Sequence, residues 1–142
     1  MRELKFGGGN RTFTVNETTE ITFNPAARQF IDKFLDTMES CIKISEQTDT
    51  QKARVEKDRR AVFEIGKEQD EKISAEIDGL FGQGKAAALF PWGPTAWADG
   101  LPEWLCFCLT ILDTIKEEVS KQKSQGSPRL AEYMEKYKEY LT

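Results

Sequence analysis

The chain has 142 residues, with 20 Lys and Arg against 24 Asp and Glu, and so a formal net charge of −4. A chain of this length fits one domain, residues 1–142, and buries about two thirds of the surface that its unfolded state exposes. Because the basic residues are scattered along the chain rather than concentrated, we expect no nucleic-acid partner. There is no histidine, so we expect no metal site.

The three cysteines, Cys41, Cys106 and Cys108, all lie in apolar helical runs. Their odd number and their positions are typical of buried thiols in a reducing compartment, so we expect no disulfide framework. The longest apolar run, residues 104–112, has about half the length of a bilayer span, and the N-terminal residues lack the apolar core of a signal peptide. We therefore expect neither membrane insertion nor secretion.

Residues 1–23 are predicted to form a β-hairpin region, and residues 24–142 a helical body. Two short strand-like stretches, residues 3–6 and 12–15, flank the sequence Gly-Gly-Gly-Asn, which is a strong hairpin signal, and residues 21–23 would add a third strand. Asn24 and Pro25 then predict the start of a helix, because Asn caps free amide groups and Pro loses nothing at the first helical position.

Four helical stretches are predicted in the body. An apolar stripe follows Pro25, a sparse seam covers residues 50–81, a dense stripe begins near Leu101, and a last helix starts at Ser127 and Pro128. The polar residues 45–50 leave open whether a loop separates the first two helices or one helix becomes more polar there. The third stripe is the widest, so we expect its helix to be the most buried. The predicted fold class is mainly α, a bundle of about four helices with a short N-terminal β-hairpin.

One motif is a near match to a phosphate-binding loop, with Gly79, four residues, Gly84 and then Lys85. The full pattern requires Ser or Thr next, to hold Mg²⁺, whereas this chain has Ala86. The charged residues before Gly79 are spaced as in a solvated helix, although a phosphate-binding loop follows a buried strand. We therefore interpret Gly79, Gly82 and Gly84 as residues that end a helix and form a turn, not as a nucleotide site.

Candidates for catalysis are few. The Asp and Glu residues lie on charge-rich helical faces, and Ser and Cys nucleophiles have no histidine base, so we expect no catalytic residues, no cofactor and no enzymatic activity. An aromatic cluster, Phe90, Trp92, Trp97 and Trp104, is the candidate partner-binding site, because Trp is enriched in interface hot spots. The alternative, which the sequence supports equally, is that these aromatics pin the connector into the core.

Two stretches of sequence and the order of the elements carry a family resemblance. The stretches are a hairpin sequence of the type Lys-Phe-Gly-Gly…Thr-Phe-Thr-Val-Asn, and Ile-Asp-Gly-Leu-Phe-Gly-Gln-Gly-Lys at 77–85, followed by a Trp-containing helix. With the helical body, they resemble the small tail assembly chaperones of siphophages and prophages of Gram-positive bacteria. The resemblance implies a protein of the host cytoplasm, absent from the mature virion, that binds the tape-measure protein and tail-tube subunits during tail assembly.

Two other classes share this size and this lack of chemistry. They are a structural virion or head–tail connector protein, which would remain in purified particles, and a bacterial helical adaptor protein. Under the family resemblance, the sparse helix at 50–81 and the aromatic connector are the expected surfaces for self-association or for a helical client. Because the net charge is small, we expect client binding to depend on apolar contacts more than on charge.

Overall fold

The computed structural model describes residues 3–4, 9–121 and 127–141. Its elements in chain order are β1 Arg11–Val15, β2 Thr19–Phe23, α1 Arg28–Arg54, α2 Arg59–Phe81, α3 Lys85–Leu89, β3 Trp97–Ala98, β4 Leu101–Pro102, α4 Glu103–Lys121, α5 Pro128–Lys136 and a 3-10 turn Lys138–Tyr140. The predicted fold class is confirmed: the fold is mainly α, with an N-terminal two-stranded hairpin. None of the helices in these described ranges is long and apolar enough to cross a bilayer.

The described hairpin is formed by the second and third of the predicted strands. β1 pairs antiparallel with β2, and the turn between them places Asn16 and Glu17 at φ angles of 51° and 65°. The predicted strand at 12–15 and the predicted third strand around 21–23 are therefore both confirmed, and they pair with each other. The other predicted strand and the glycine turn fall largely on residues 5–8, which lie outside the described part of the chain.

The structure decides between the two alternatives for the polar residues 45–50. α1 continues through residues 45–50, so this polar stretch belongs to one helix. The chain then turns, and the Asp58 side chain caps α2 by accepting a hydrogen bond from the backbone amide of Ala61 at 3.1 Å. The helical stretch predicted over 50–81 is therefore divided between α1 and α2, because a capping residue within that range starts a new helix.

The core is built around α4, as the width of its apolar stripe predicted. Its buried residues are Trp104, Phe107, Cys108, Leu109, Ile111, Leu112, Ile115, Glu118 and Val119. Buried apolar residues of β2, α1, α2, α3 and α5 complete the same cluster. Glu118 is the charged member of this set, and it pairs with Arg11, which joins the hairpin to the core helix.

The last helix begins as the sequence predicted. Ser127 caps α5, since its hydroxyl accepts a hydrogen bond at 3.1 Å from the backbone amide three residues further on, and Pro128 occupies the first helical turn. The guanidinium of Arg129 pairs with Asp36 at 2.7 Å and with Glu39 at 2.9 Å. These ion pairs join α5 to α1.

Candidate protein-interaction surface

The glycine-rich segment after α2 ends one helix and starts another. Gly82 and Gly84 have φ angles of 119° and 84°, in the region that favours glycine because it has no Cβ atom. Their predicted role as turn residues is confirmed. Gly79 instead lies inside α2, so the prediction that it ends the helix was wrong.

The carboxylate of Asp78 is the acceptor for backbone amides of the glycine-rich segment. Its carboxylate accepts hydrogen bonds from the backbone amides of Gly84 at 3.2 Å and Ala86 at 2.8 Å. The ammonium group of Lys85 donates to the carbonyl oxygen of Glu20 at 2.7 Å. The amides and the lysine that would hold a phosphate are therefore engaged with groups of the chain itself.

The nucleotide prediction follows from this arrangement. We expect calorimetry with magnesium and ATP to show no saturable binding, for the wild-type chain and for Lys85→Ala alike, because the loop amides already have an anionic partner and position 86 lacks the metal-binding hydroxyl. Saturable binding that Lys85→Ala abolishes would contradict this.

Asp78 should also contribute measurably to stability. We expect Asp78→Ala to lower the free energy of unfolding by about 1–2 kcal/mol, because two backbone amides lose their acceptor. Asp78→Asn is the matched control, since its amide oxygen still accepts one hydrogen bond, and it should cost less than Asp78→Ala. Urea unfolding measures both differences. Equal free energies of unfolding for wild type and Asp78→Ala would contradict this, because they would show that water replaces the carboxylate as acceptor without loss of stability.

The aromatic cluster is divided between the core and the surface. Phe90 and Trp104 are buried, with 6% and 3% of their surface exposed, whereas Trp92 and Trp97 are 86% and 75% exposed. The Phe90 ring packs edge-on against Phe107, with centroids 5.8 Å apart. The burial of Phe90 and Trp104 agrees with the interpretation that aromatics pin the connector into the core, whereas Trp92 and Trp97 are the members that a partner could contact.

Backbone hydrogen bonds tie the connector that carries the tryptophans to the start of α4. The amide of Trp104 donates to the carbonyl of Pro94 at 2.9 Å, and the amide of Glu103 donates to the carbonyl of Ala96 at 2.8 Å. These bonds satisfy amides that the first turn of a helix otherwise leaves unpaired. β3 and β4 form a short antiparallel ladder, which places Trp97 opposite Pro102.

Asp70 fastens the other side of the connector to α2. Its carboxylate accepts hydrogen bonds from the hydroxyl of Thr95 at 2.6 Å and from the amide of the same residue at 3.3 Å. Gly93 lies so close that a Cβ atom there would stand 3.4 Å from a carboxylate oxygen of Asp70, and its φ angle is 94°. The connector therefore follows α2 closely, and Trp92, the neighbour of Gly93, projects outwards from a fixed backbone.

Two grooves border this region. A groove of about 570 Å³ lies between α2 and the connector, and its walls contain Asp70, Glu71 and Asp78 but no Lys or Arg among the described residues. A second groove, of about 500 Å³, lies between the hairpin and α4, and apolar residues such as Phe13 and Ile111 line it. The first groove is acidic and adjoins an exposed tryptophan, whereas the second is mainly apolar.

The thiols are not activated as nucleophiles. Burial raises the pKa of Cys41 to about 12 and that of Cys108 well above its ordinary value. Cys106 is only half-buried, which corrects the expectation that all three are buried; its thiol donates to the carbonyl of Ala98 at 3.5 Å, and burial also raises its pKa. Thiols with raised pKa values stay protonated at neutral pH. Within the described ranges, no group of three or more His, Cys, Asp or Glu residues is arranged to hold a metal ion.

Sequence reasoning singled out Trp92 and Trp97 by residue type but missed Asp70 and Glu71. Those two carboxylates are part of an ordinary charged helical pattern, and no local signal separates them from the other acidic residues of α2.

No protein-family model, curated protein or solved structure matches this chain. The resemblance to tail assembly chaperones therefore stays a prediction from the sequence.

Proposed function

We propose that this chain is a non-enzymatic assembly chaperone of the phage-tail type. In this role it binds the tape-measure protein and tail-tube subunits in the cytoplasm of the bacterial host, and it is absent from the finished virion. The observation that supports the proposal most directly is the exposure of Trp92 and Trp97 on one short connector. Neighbouring exposed tryptophans are typical of protein interaction sites, where Trp is enriched among the residues that dominate binding.

The way the connector is held favours binding. A partner that ordered a flexible loop would pay for the conformational freedom it removes, whereas a preformed surface avoids much of that cost. The hydrogen bonds from Thr95 to Asp70 and from Trp104 to Pro94 already hold this backbone. The family resemblance identifies the client as the tape-measure protein, and the proposal is that the exposed tryptophan rings contact this client.

Co-expression tests the proposal. The tagged chain, produced together with the tape-measure protein encoded beside it, should retain that protein on affinity resin, and purified phage particles should lack the chain. A structural virion or head–tail connector protein would instead remain in the particles. A gene that lies away from any tail-tube and tape-measure genes would favour a bacterial adaptor and overturn the proposal.

A further inference from the structure

The charge around the exposed tryptophans differs from that of the chain as a whole. Between Lys85 and Lys116 the sequence contains three acidic residues, Asp99, Glu103 and Asp113, and no Lys or Arg. Trp92 and Trp97 both lie in this interval. A partner that approaches the rings therefore meets a connector, residues 90–102, whose one charged residue is Asp99, and Glu103 follows it at the start of α4.

The groove beside Trp92 adds to this negative charge. Its wall on α2 contains Asp70, Glu71 and Asp78, and the Glu71 side chain is exposed. Lys67, one turn before Glu71 on α2, lines a depression together with Glu64, Glu68 and Glu71. Lys72 pairs with Glu68 at 3.2 Å, so three carboxylates face two ammonium groups on this part of α2. Local charge, rather than the net charge of −4, acts on a bound segment, because salt screens charges beyond about 10 Å.

A third exposed ring extends the surface along α2. Phe63 is 69% exposed, and it precedes Asp70 by seven residues, so the two share one face of the helix about 10 Å apart along its axis. The surface thus combines the aromatic rings of Phe63, Trp92 and Trp97 with the carboxylates of Glu71 and Asp99. Lys67 lies between Phe63 and Asp70 on α2. An amphipathic helix that carries both apolar and basic side chains matches this combination.

We propose that the surface formed by Trp92, Trp97 and the acidic groove on α2 binds a basic amphipathic segment of the client protein. Apolar side chains of the segment pack against the rings, its Lys or Arg side chains pair with Glu71 and Asp99, and a cation stacks on an indole face. This inference rests on the proposed function and adds the chemistry of the client. It differs from the expectation based on net charge, because the acidic residues are concentrated at the rings.

Ionic quenching of fluorescence tests the local charge. Trp97→Phe leaves Trp92 as the exposed indole and Trp92→Phe leaves Trp97, while Trp104 is buried in both variants. Relative to a free tryptophan derivative, caesium should quench each exposed indole more strongly than iodide does, because the carboxylates attract cations and repel anions. Adding Glu71→Gln and Asp99→Asn to each of these variants should reduce the difference between quenching by caesium and quenching by iodide. Equal quenching by the two ions, or stronger quenching by iodide, would overturn the proposal.

Two synthetic peptides test the partner chemistry. Both are Trp-free amphipathic helices of about 20 residues, or about 30 Å, with the same leucine stripe; one carries Lys and Arg at its polar positions and the other carries Gln. We expect the basic peptide to bind at least about tenfold more tightly in about 0.1 M salt and to lose most of this advantage in about 1 M salt. Intrinsic fluorescence of the full chain reports the binding.

Paired variants provide the control. Glu71→Gln with Asp99→Asn should remove most of the advantage of the basic peptide, and Asn suits the positive φ of 54° at position 99. Glu132→Gln with Glu139→Gln, which removes the same charge from the C-terminal region, should leave that advantage intact. Equal affinity for the two peptides, or no binding of the basic one, would overturn the inference. Failure of the proposed function itself would appear separately, as absence of the tape-measure protein from the co-purification.

Discussion

The double variant Trp92→Ala and Trp97→Ala is expected to lose the tape-measure protein in co-purification while its thermal midpoint stays nearly unchanged. Each ring is more than two thirds exposed, so its removal takes little from the packed core, and surface substitutions usually change stability by less than about 0.5 kcal/mol. At an interface, the loss of a hot-spot tryptophan costs about 2 kcal/mol or more, which lowers affinity about 30-fold. Pull-down yields and thermal unfolding of the single and double variants provide the two measurements.

Tyr140→Ala is the matched control for these variants. Tyr140 is a large aromatic residue with 51% of its surface exposed, but it lies in the 3-10 turn near the C-terminus. Its removal should leave both client binding and the thermal midpoint unchanged. If the tryptophan variants unfold, the rings belong to the core, and the interface must be sought on α2. If they stay folded and keep the client, the connector is not the binding surface.

Ile111→Ala is expected to lower the free energy of unfolding by about 2–5 kcal/mol. Ile111 is 3% exposed and lies in α4, within the main apolar cluster. Truncation removes apolar contacts and leaves a cavity that the surrounding helices fill only in part. Urea unfolding of both proteins gives the difference, provided that the slope of each transition is unchanged.

The neighbouring residue provides a control for this substitution. Thr110 is exposed, and its hydroxyl donates to the carbonyl of Cys106 one turn earlier in the same helix. Thr110→Ala should therefore change stability by less than about 0.5 kcal/mol, partly because Ala has the higher helix propensity. A loss below 1 kcal/mol for Ile111→Ala would place α4 at the periphery of the fold.

Local sequence leaves two features of the fold open. The turn that contains Asn16 suits a hairpin, but the sequence around it does not decide which strands pair. In the hairpin formed by β1 and β2, Ile21 and Phe23 are buried against the helices. The free energy gained by this burial depends on residues that are distant in the chain. Likewise, the start of α2 depends on Asp58 as its N-cap. The local sequence does not distinguish Asp58 from the other acidic residues nearby.

The sequence alone was sufficient for the features that depend on periodicity and on local capping. The apolar stripe on α4 identifies the buried face of that helix, because residues three or four apart share one side of a helix. Ser127 indicates the start of α5, because its hydroxyl caps an amide nearby in the chain. The connector before α4 has no such period, so nothing local separates the buried Phe90 from the exposed Trp92. Their different exposure arises from the packing of α4 and from the bond between Asp70 and Thr95, 25 residues apart in the chain, and such long-range contacts exist only in the folded protein.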